Sequence, residues 1–208
     1  MATSINTGTE QLLASQDGGI LTLTLNRPEA RNALSDDLSP ALRAMLAQTA
    51  KDDNIGALII TGAGTAFCAG GDVKGMGGRL EKTMSTEKRI ADLQKRQRAL
   101  TGVLATLPQP TIAALPGPAV GAGLAIALAC DIRIAATSAF LSTGYRRVAL
   151  SGDYGISWLM TRLVGTARAR QLMFTSERID AHWCERIGLV NQVVPDGDLQ
   201  TAAETMAK

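Results

Sequence analysis

The chain has 208 residues, 46% hydrophobic and 19% charged, and its 21 Lys and Arg against 19 Asp and Glu leave a formal net charge of +2. A chain of this length buries roughly 70% of its unfolded surface, enough for one core without a disulfide or metal staple. The apolar share excludes a disordered chain. Aromatic residues are only 3% of the total, and neither they nor the charge supply the stacking faces or basic footprint of a dedicated nucleic-acid binder. Cys68, Cys130 and Cys184 form no CxxC pair and read as reduced, buried thiols of a cytoplasmic protein. The first residues lack the cationic and apolar regions of a signal peptide. No apolar run approaches the roughly 18 residues of a membrane span, so no membrane partner is expected.

In chain order, Ile20 to Leu25 alternates apolar and polar residues, the period of a half-buried strand. Asn26-Arg27-Pro28 turns, and Ser35-Asp36 offers a cap for a helix with Leu38, Leu42, Met45 and Leu46 on its apolar face. Ala57 to Thr61 reads as a buried strand, followed by a glycine-rich loop from Gly62 to Gly78. A helix is expected over Thr86 to Thr106, stopped by Pro108 and Pro110, then a strand over Thr111 to Leu115. Gly121-Ala122-Gly123 opens an almost wholly apolar helix ending near Cys130, and Asp131 to Ala135 is the next strand. Helices around Tyr154 to Val164, Thr166 to Phe174 and Ala181 to Ile187, a strand over Leu189 to Val193 and a helix starting near Asp198 complete the pattern. Alternating strands and helices make this an α/β chain.

Two glycine clusters stand out. Gly62-Ala63-Gly64 carries Phe67 where a dinucleotide site needs its third glycine, and no P-loop motif occurs. Ala69-Gly70-Gly71-Asp72 and Gly121-Ala122-Gly123 would instead let a substrate approach bare backbone, where amides at a helix start can hold an oxyanion. Tight turns and close packing explain the same residues equally well. His182, the sole histidine, has no partner in a triad pattern, and nothing suggests a metal site. Asp153, in Ser151-Gly152-Asp153-Tyr154-Gly155, is either a helix cap or an acid/base group facing a dry pocket. The basic stretches Lys88 to Arg98 and Arg162 to Arg170 read as solvated helix faces, with phosphate binding as the other reading.

Taken together, several segments resemble the crotonase (enoyl-CoA hydratase/isomerase) superfamily in order and spacing. They are Asn26-Arg27-Pro28 with Arg31-Asn32-Ala33-Leu34, Ala66-Phe67-Cys68-Ala69-Gly70-Gly71-Asp72-Val73, Pro110 to Ala114, Gly117 to Gly123 through Cys130-Asp131, Leu163-Val164-Gly165, and Gly188 to Asn191 with Val194-Pro195. The resemblance implies a spiral of ββα units, with a core domain over residues 1–195 and the start of a C-terminal helical region over 196–208, cut short at Lys208. It also implies a homotrimer or dimer of trimers. The substrate it implies is an acyl-CoA thioester, with coenzyme A part of the substrate and no separate cofactor.

By the same resemblance, the amides of Ala69 and Ala122 form an oxyanion hole. Ala66, Phe67, Cys68, Gly70, Gly71, Asp72 and Val73, with Arg27 and Ala30, lie along the CoA arm, and Tyr145 is a further substrate-binding residue. The two glutamates of typical hydratases are absent: Ala125 stands at one position, and Gly144-Tyr145-Arg146-Arg147 offers no acid at the other. Asp153 matches the single acid of another branch, which includes ring-processing isomerases and a dehalogenase. Arg98 and Tyr145 replace the dehalogenase's histidine and tryptophan, which disfavours dehalogenation. The expectation is therefore an enoyl-CoA isomerase or one-carboxylate hydratase using Asp153. The alternative is a non-catalytic homologue that binds acyl-CoA or a macromolecule.

Overall fold

The computed structural model describes residues 2–72 and 85–208. Strands β1 (Thr3–Ile5), β2 (Leu12–Asp17) and β3 (Ile20–Leu25) form an antiparallel meander. Strands β4 (Ala57–Gly62), β5 (Thr111–Leu115), β7 (Ile132–Ala136) and β10 (Gln192–Val194) extend it in parallel, in the order β1-β2-β3-β4-β5-β7-β10. A second, three-stranded sheet joins β6 (Ala119–Val120), β8 (Phe140–Ser142) and β9 (Ile179–Asp180).

Parallel strands must be covered on both faces, and β4 is buried along its whole length. Leu58 and Ile60 point into the main core with helix α1 (Leu38–Thr49), while Ile59 points the other way, toward Leu199 and Ala203 of a C-terminal helix (Leu199–Ala207). Helix α2 (Thr86–Gln97) runs into a π turn over Arg98–Gly102. Helix α3 (Ala122–Ala129) is buried all round, the signature of a helix inside a core rather than on its surface. Helix α4 (Ile156–Thr175) is broken at Gly165 (φ 77°, ψ 166°), which accounts for the two separate helices expected there. Helix α5 (Ala181–Arg186) is capped by the Asp180 side chain, which accepts from Trp183 N at 2.7 Å. The C-terminal helix is α6. Among the described residues no helix is long and apolar enough to cross a membrane.

The boundaries differ from expectation where local chemistry competes. The strand expected from Leu189 starts at Gln192, because the amides of Leu189 and Val190 turn back to Cys184 O. Asp131 stays outside β7: its carboxylate accepts from Thr111 N at 2.8 Å and Thr111 Oγ1 at 2.7 Å. The cap of α1 comes from Ser35, whose hydroxyl accepts from Leu38 N at 3.0 Å.

One buried side chain ties the β3 exit to the loop after β4. Asn32 is wholly buried in a left-handed conformation (φ 57°). Its Nδ2 donates to Ala63 O at 2.9 Å and Ala66 O at 2.7 Å, and its Oδ1 accepts from Arg27 N at 2.8 Å. Asn32→Ala strips partners from three backbone groups and places a Cβ-only side chain at positive φ, so it should lower the unfolding free energy by roughly 2–4 kcal/mol. Urea denaturation measures this; an unchanged midpoint and slope contradict it.

Candidate active site

Two stretches of backbone lie against each other at the start of α3. The amides of Phe67 and Cys68 donate to Pro118 O at 3.1 and 3.2 Å, and Val120 N donates to Cys68 O at 2.9 Å. A Cβ on Gly123 would come within 2.4 Å of Cys68 O, so only glycine lets the helix seat there. Gly70 has φ +97°, and a Cβ on it would stand 3.0 Å from Val120 O and 3.5 Å from Ala122 N. The loop backbone thus abuts the first turn of α3, where amides lack helical partners.

Hydrogen-bond accounting corrects one expectation. Ala69 N, assigned to the oxyanion hole, donates to Arg31 O at 2.9 Å and is spent. Leu34 bridges Gly71 by donating to Gly70 O at 2.8 Å and accepting from Asp72 N at 3.1 Å. In such a bridge the Gly71 amide itself turns to the opposite edge. Among the described residues the amides of Gly71 and Ala122 make no hydrogen bond. The open donors are therefore Gly71, which sequence reasoning placed only along the CoA arm, and Ala122. No spacing rule reveals this, because it depends on where Arg31 O points.

The carboxylate comes from the far side. Tyr145 begins a short turn, Tyr145–Val148, held to the end of α4 by buried hydroxyls: Ser142 Oγ donates to Ser176 O at 3.0 Å, and Thr143 Oγ1 donates to Leu172 O at 2.8 Å. Its ring is buried, with Cζ 4.0 Å from where a Cβ on Gly121 would sit. The Tyr145 hydroxyl donates to Asp153 Oδ1 at 2.6 Å. The Asp153 side chain caps nothing: Ile156 N bonds its main-chain oxygen at 3.0 Å, and α4 has no side-chain cap. That removes the side-chain cap reading of Asp153.

Burial pushes the half-buried Asp153 carboxyl above the usual carboxylate range, while the Tyr145 hydrogen bond opposes the rise. Burial, and next the charge of Asp153, hold the Tyr145 phenol far above its ordinary value, so it remains a neutral donor. Ala125 is fully buried and carries no acid. An open cleft of about 260 Å³ lies beside Tyr154 and Gly155, the two residues after Asp153, and is also lined by Gln97, Thr101 and Trp158.

The remaining expected residues divide. Arg27 is held by Ala33 O at 2.7 Å and by Asp72 at 3.1 Å, which ties the β3 exit to the loop end. Ala30 is half-buried in the turn Pro28–Ala30. Ala66, Phe67 and Cys68 are buried in the protein interior, so their side chains anchor the loop rather than face a ligand. Burial pushes the Cys68 thiol up to about 12, which makes it inert. Val73 lies outside the described residues. His182 is exposed, 4.0 Å from Glu185 and away from these groups. Among the described residues no cluster of His, Cys, Asp or Glu could hold a metal ion.

Comparisons with known proteins give the chain's family. The sequence profile described as enoyl-CoA hydratase/isomerase matches residues 15–208. The chain is 38% identical over 204 residues to the 1,2-epoxyphenylacetyl-CoA isomerase of Escherichia coli K12, covering 96% of this chain and 75% of that protein. Among solved structures, an enoyl-CoA hydratase from Bacillus anthracis superposes with a TM-score of 0.87 at 34% identity, over 95% of this chain and 75% of the other. A monofunctional enoyl-CoA isomerase from Mycobacterium smegmatis superposes with a TM-score of 0.79 at 34% identity, over 96% and 84%. The chain belongs to the enoyl-CoA hydratase/isomerase family, within the crotonase superfamily.

Proposed function

We propose that this protein binds an acyl-CoA thioester and moves a proton on its acyl carbons, as an enoyl-CoA isomerase or a hydratase with one carboxylate. The observation that carries this reading is Asp153: a half-buried carboxylate freed from capping and gripped on one oxygen by Tyr145. Unspent amides at Gly71 and Ala122 would hold the thioester oxygen as negative charge develops there, and a donor of this kind is worth roughly 3–4 kcal/mol of transition-state stabilisation. Asp153 Oδ2 takes a proton from carbon and returns it to another carbon of the resulting dienolate. A two-acid hydration, with water placed between carboxylates, lacks its second acid because Ala125 stands at that position. The names of the Escherichia coli and Mycobacterium smegmatis relatives, both isomerases acting on CoA esters, support the same class.

Asp153→Asn keeps the shape and an acceptor for the Tyr145 hydroxyl but removes the base. Turnover of 3-enoyl-CoA or crotonyl-CoA, followed by thioester absorbance, should fall roughly 10²-fold or more, with acyl-CoA affinity by calorimetry within a few-fold. Wild-type turnover in this variant contradicts the assignment. Binding without turnover by the unaltered protein would instead support the acyl-CoA-binding homologue.

The pH dependence has a definite sign. The ionised carboxylate is the base, so kcat/KM should fall as pH drops through the Asp153 titration. Because burial raises that pKa, the acid limb should lie above the ordinary carboxylate range. A profile flat down to about pH 4, the unperturbed carboxylate value, contradicts it.

A further inference from the structure

We infer that Tyr145 is the positioning residue for Asp153: its hydroxyl takes up Oδ1 and leaves Oδ2 as the one oxygen that exchanges protons with the substrate. This inference rests on Asp153 being the acid/base group proposed above, and it assigns Tyr145 a role other than substrate binding.

The geometry supports it at several points. At 2.6 Å the contact has the length of a charge-assisted O–H···O bond. No other side chain bonds the Asp153 carboxylate among the described residues; besides Tyr145 only the backbone of Asp153 itself acts on it by hydrogen bonding. The tyrosine is itself fixed. Its buried ring backs onto Gly121, one residue before the open Ala122 amide, and its main-chain oxygen accepts from Leu150 N at 3.0 Å. Left-handed residues at Gly144 (φ 72°) and Ala149 (φ 56°) bound the Tyr145 turn, and Tyr154 (φ 49°) and Gly155 (φ 73°) bend the chain immediately after Asp153. Positive φ at Ala149 and Tyr154 is uncommon for side chains of this kind, and here it serves to bring two loops to one hydrogen bond. Thr101 Oγ1 donates to Tyr154 O at 2.9 Å and fastens the second loop to the π turn after α2.

The phenol therefore links the acid/base carboxylate to the backbone that carries one oxyanion donor. Among the described residues the titratable groups facing Asp153 are Tyr145 and, from its own turn, Tyr154; Tyr154 in turn interacts with Arg43, Arg96 and Cys68. Of these, Tyr145 is the group that bonds the carboxylate directly and favours its ionised form. Because the phenol is held neutral, it directs the carboxylate without exchanging the proton itself.

The test is Tyr145→Phe, alone and combined with Asp153→Asn, in the full chain. Tyr145→Phe should lower kcat roughly 10-fold or more, the loss expected when a charge-assisted hydrogen bond to a reacting group is removed, with KM within a few-fold. The acid limb of its pH profile should move to higher pH, because the carboxylate loses its donor. In the Asp153→Asn background the same substitution should cost under about 2-fold, since no base remains to be positioned. An unmoved acid limb, or an equal cost in both backgrounds, overturns the positioning role and makes Tyr145 a packing residue. Wild-type turnover of Asp153→Asn alone would instead overturn the proposal on which this one rests.

Discussion

Everything at the candidate site depends on one close approach of backbone to backbone, the seating of the first turn of α3 against the Cys68–Gly70 segment. A Cβ at Gly123 would collide with Cys68 O, and one at Gly70 would crowd Val120 O. With both absent, the loop lies against β6 and the start of a fully buried helix. A helix start exposes amides in any protein. What is particular here is that neighbouring donors are already consumed: Ala69 by Arg31 O, Asp72 by Leu34 O, Gly121 by Ser142 O. Selective satisfaction leaves Gly71 and Ala122 open, and the buried Asn32 and the Arg27–Asp72 pair hold the loop that presents the first of them.

Asp153 supplies the complementary half. Its chain bends through left-handed residues, so its carboxylate leaves the cap position and meets Tyr145. Burial and the phenol act on it in opposite directions. The first makes the group a better base near neutral pH; the second keeps it ionised and fixes its rotation. A carboxylate with one oxygen held and one open suits a reaction in which a single group removes and returns a proton. It suits less well a hydration that needs two acids around one water, and the fully buried Ala125 is consistent with that division.

Much of the fold was legible because its elements follow simple periods. The alternation of Ile20 to Leu25, the apolar run of Ala57 to Thr61 and the all-apolar helix after Gly121 each appear where expected. The short strands β1, β6, β8 and β9 were not legible, since two or three residues carry no period and form only by pairing. The site divides in the same way. Asp153 and Ala122 were marked by type and by family pattern. The role of Tyr145 and the exchange of Ala69 for Gly71 as the open donor depend on hydrogen bonds between residues far apart in sequence, such as Ala69 to Arg31. Motif position also says nothing about which way a side chain points, and the side chains of Phe67 and Cys68, in the loop expected along the CoA arm, point into the core.

The central claim is that Asp153 exchanges a carbon-bound proton of a CoA thioester. The most direct measurement is the exchange of acyl protons with deuterated water, followed by proton NMR on a saturated acyl-CoA that cannot turn over. The intact protein should wash deuterium into the position α to the thioester, and Asp153→Asn should slow that exchange roughly 10²-fold or more while still binding the thioester. Equal exchange rates in the two proteins would contradict the account.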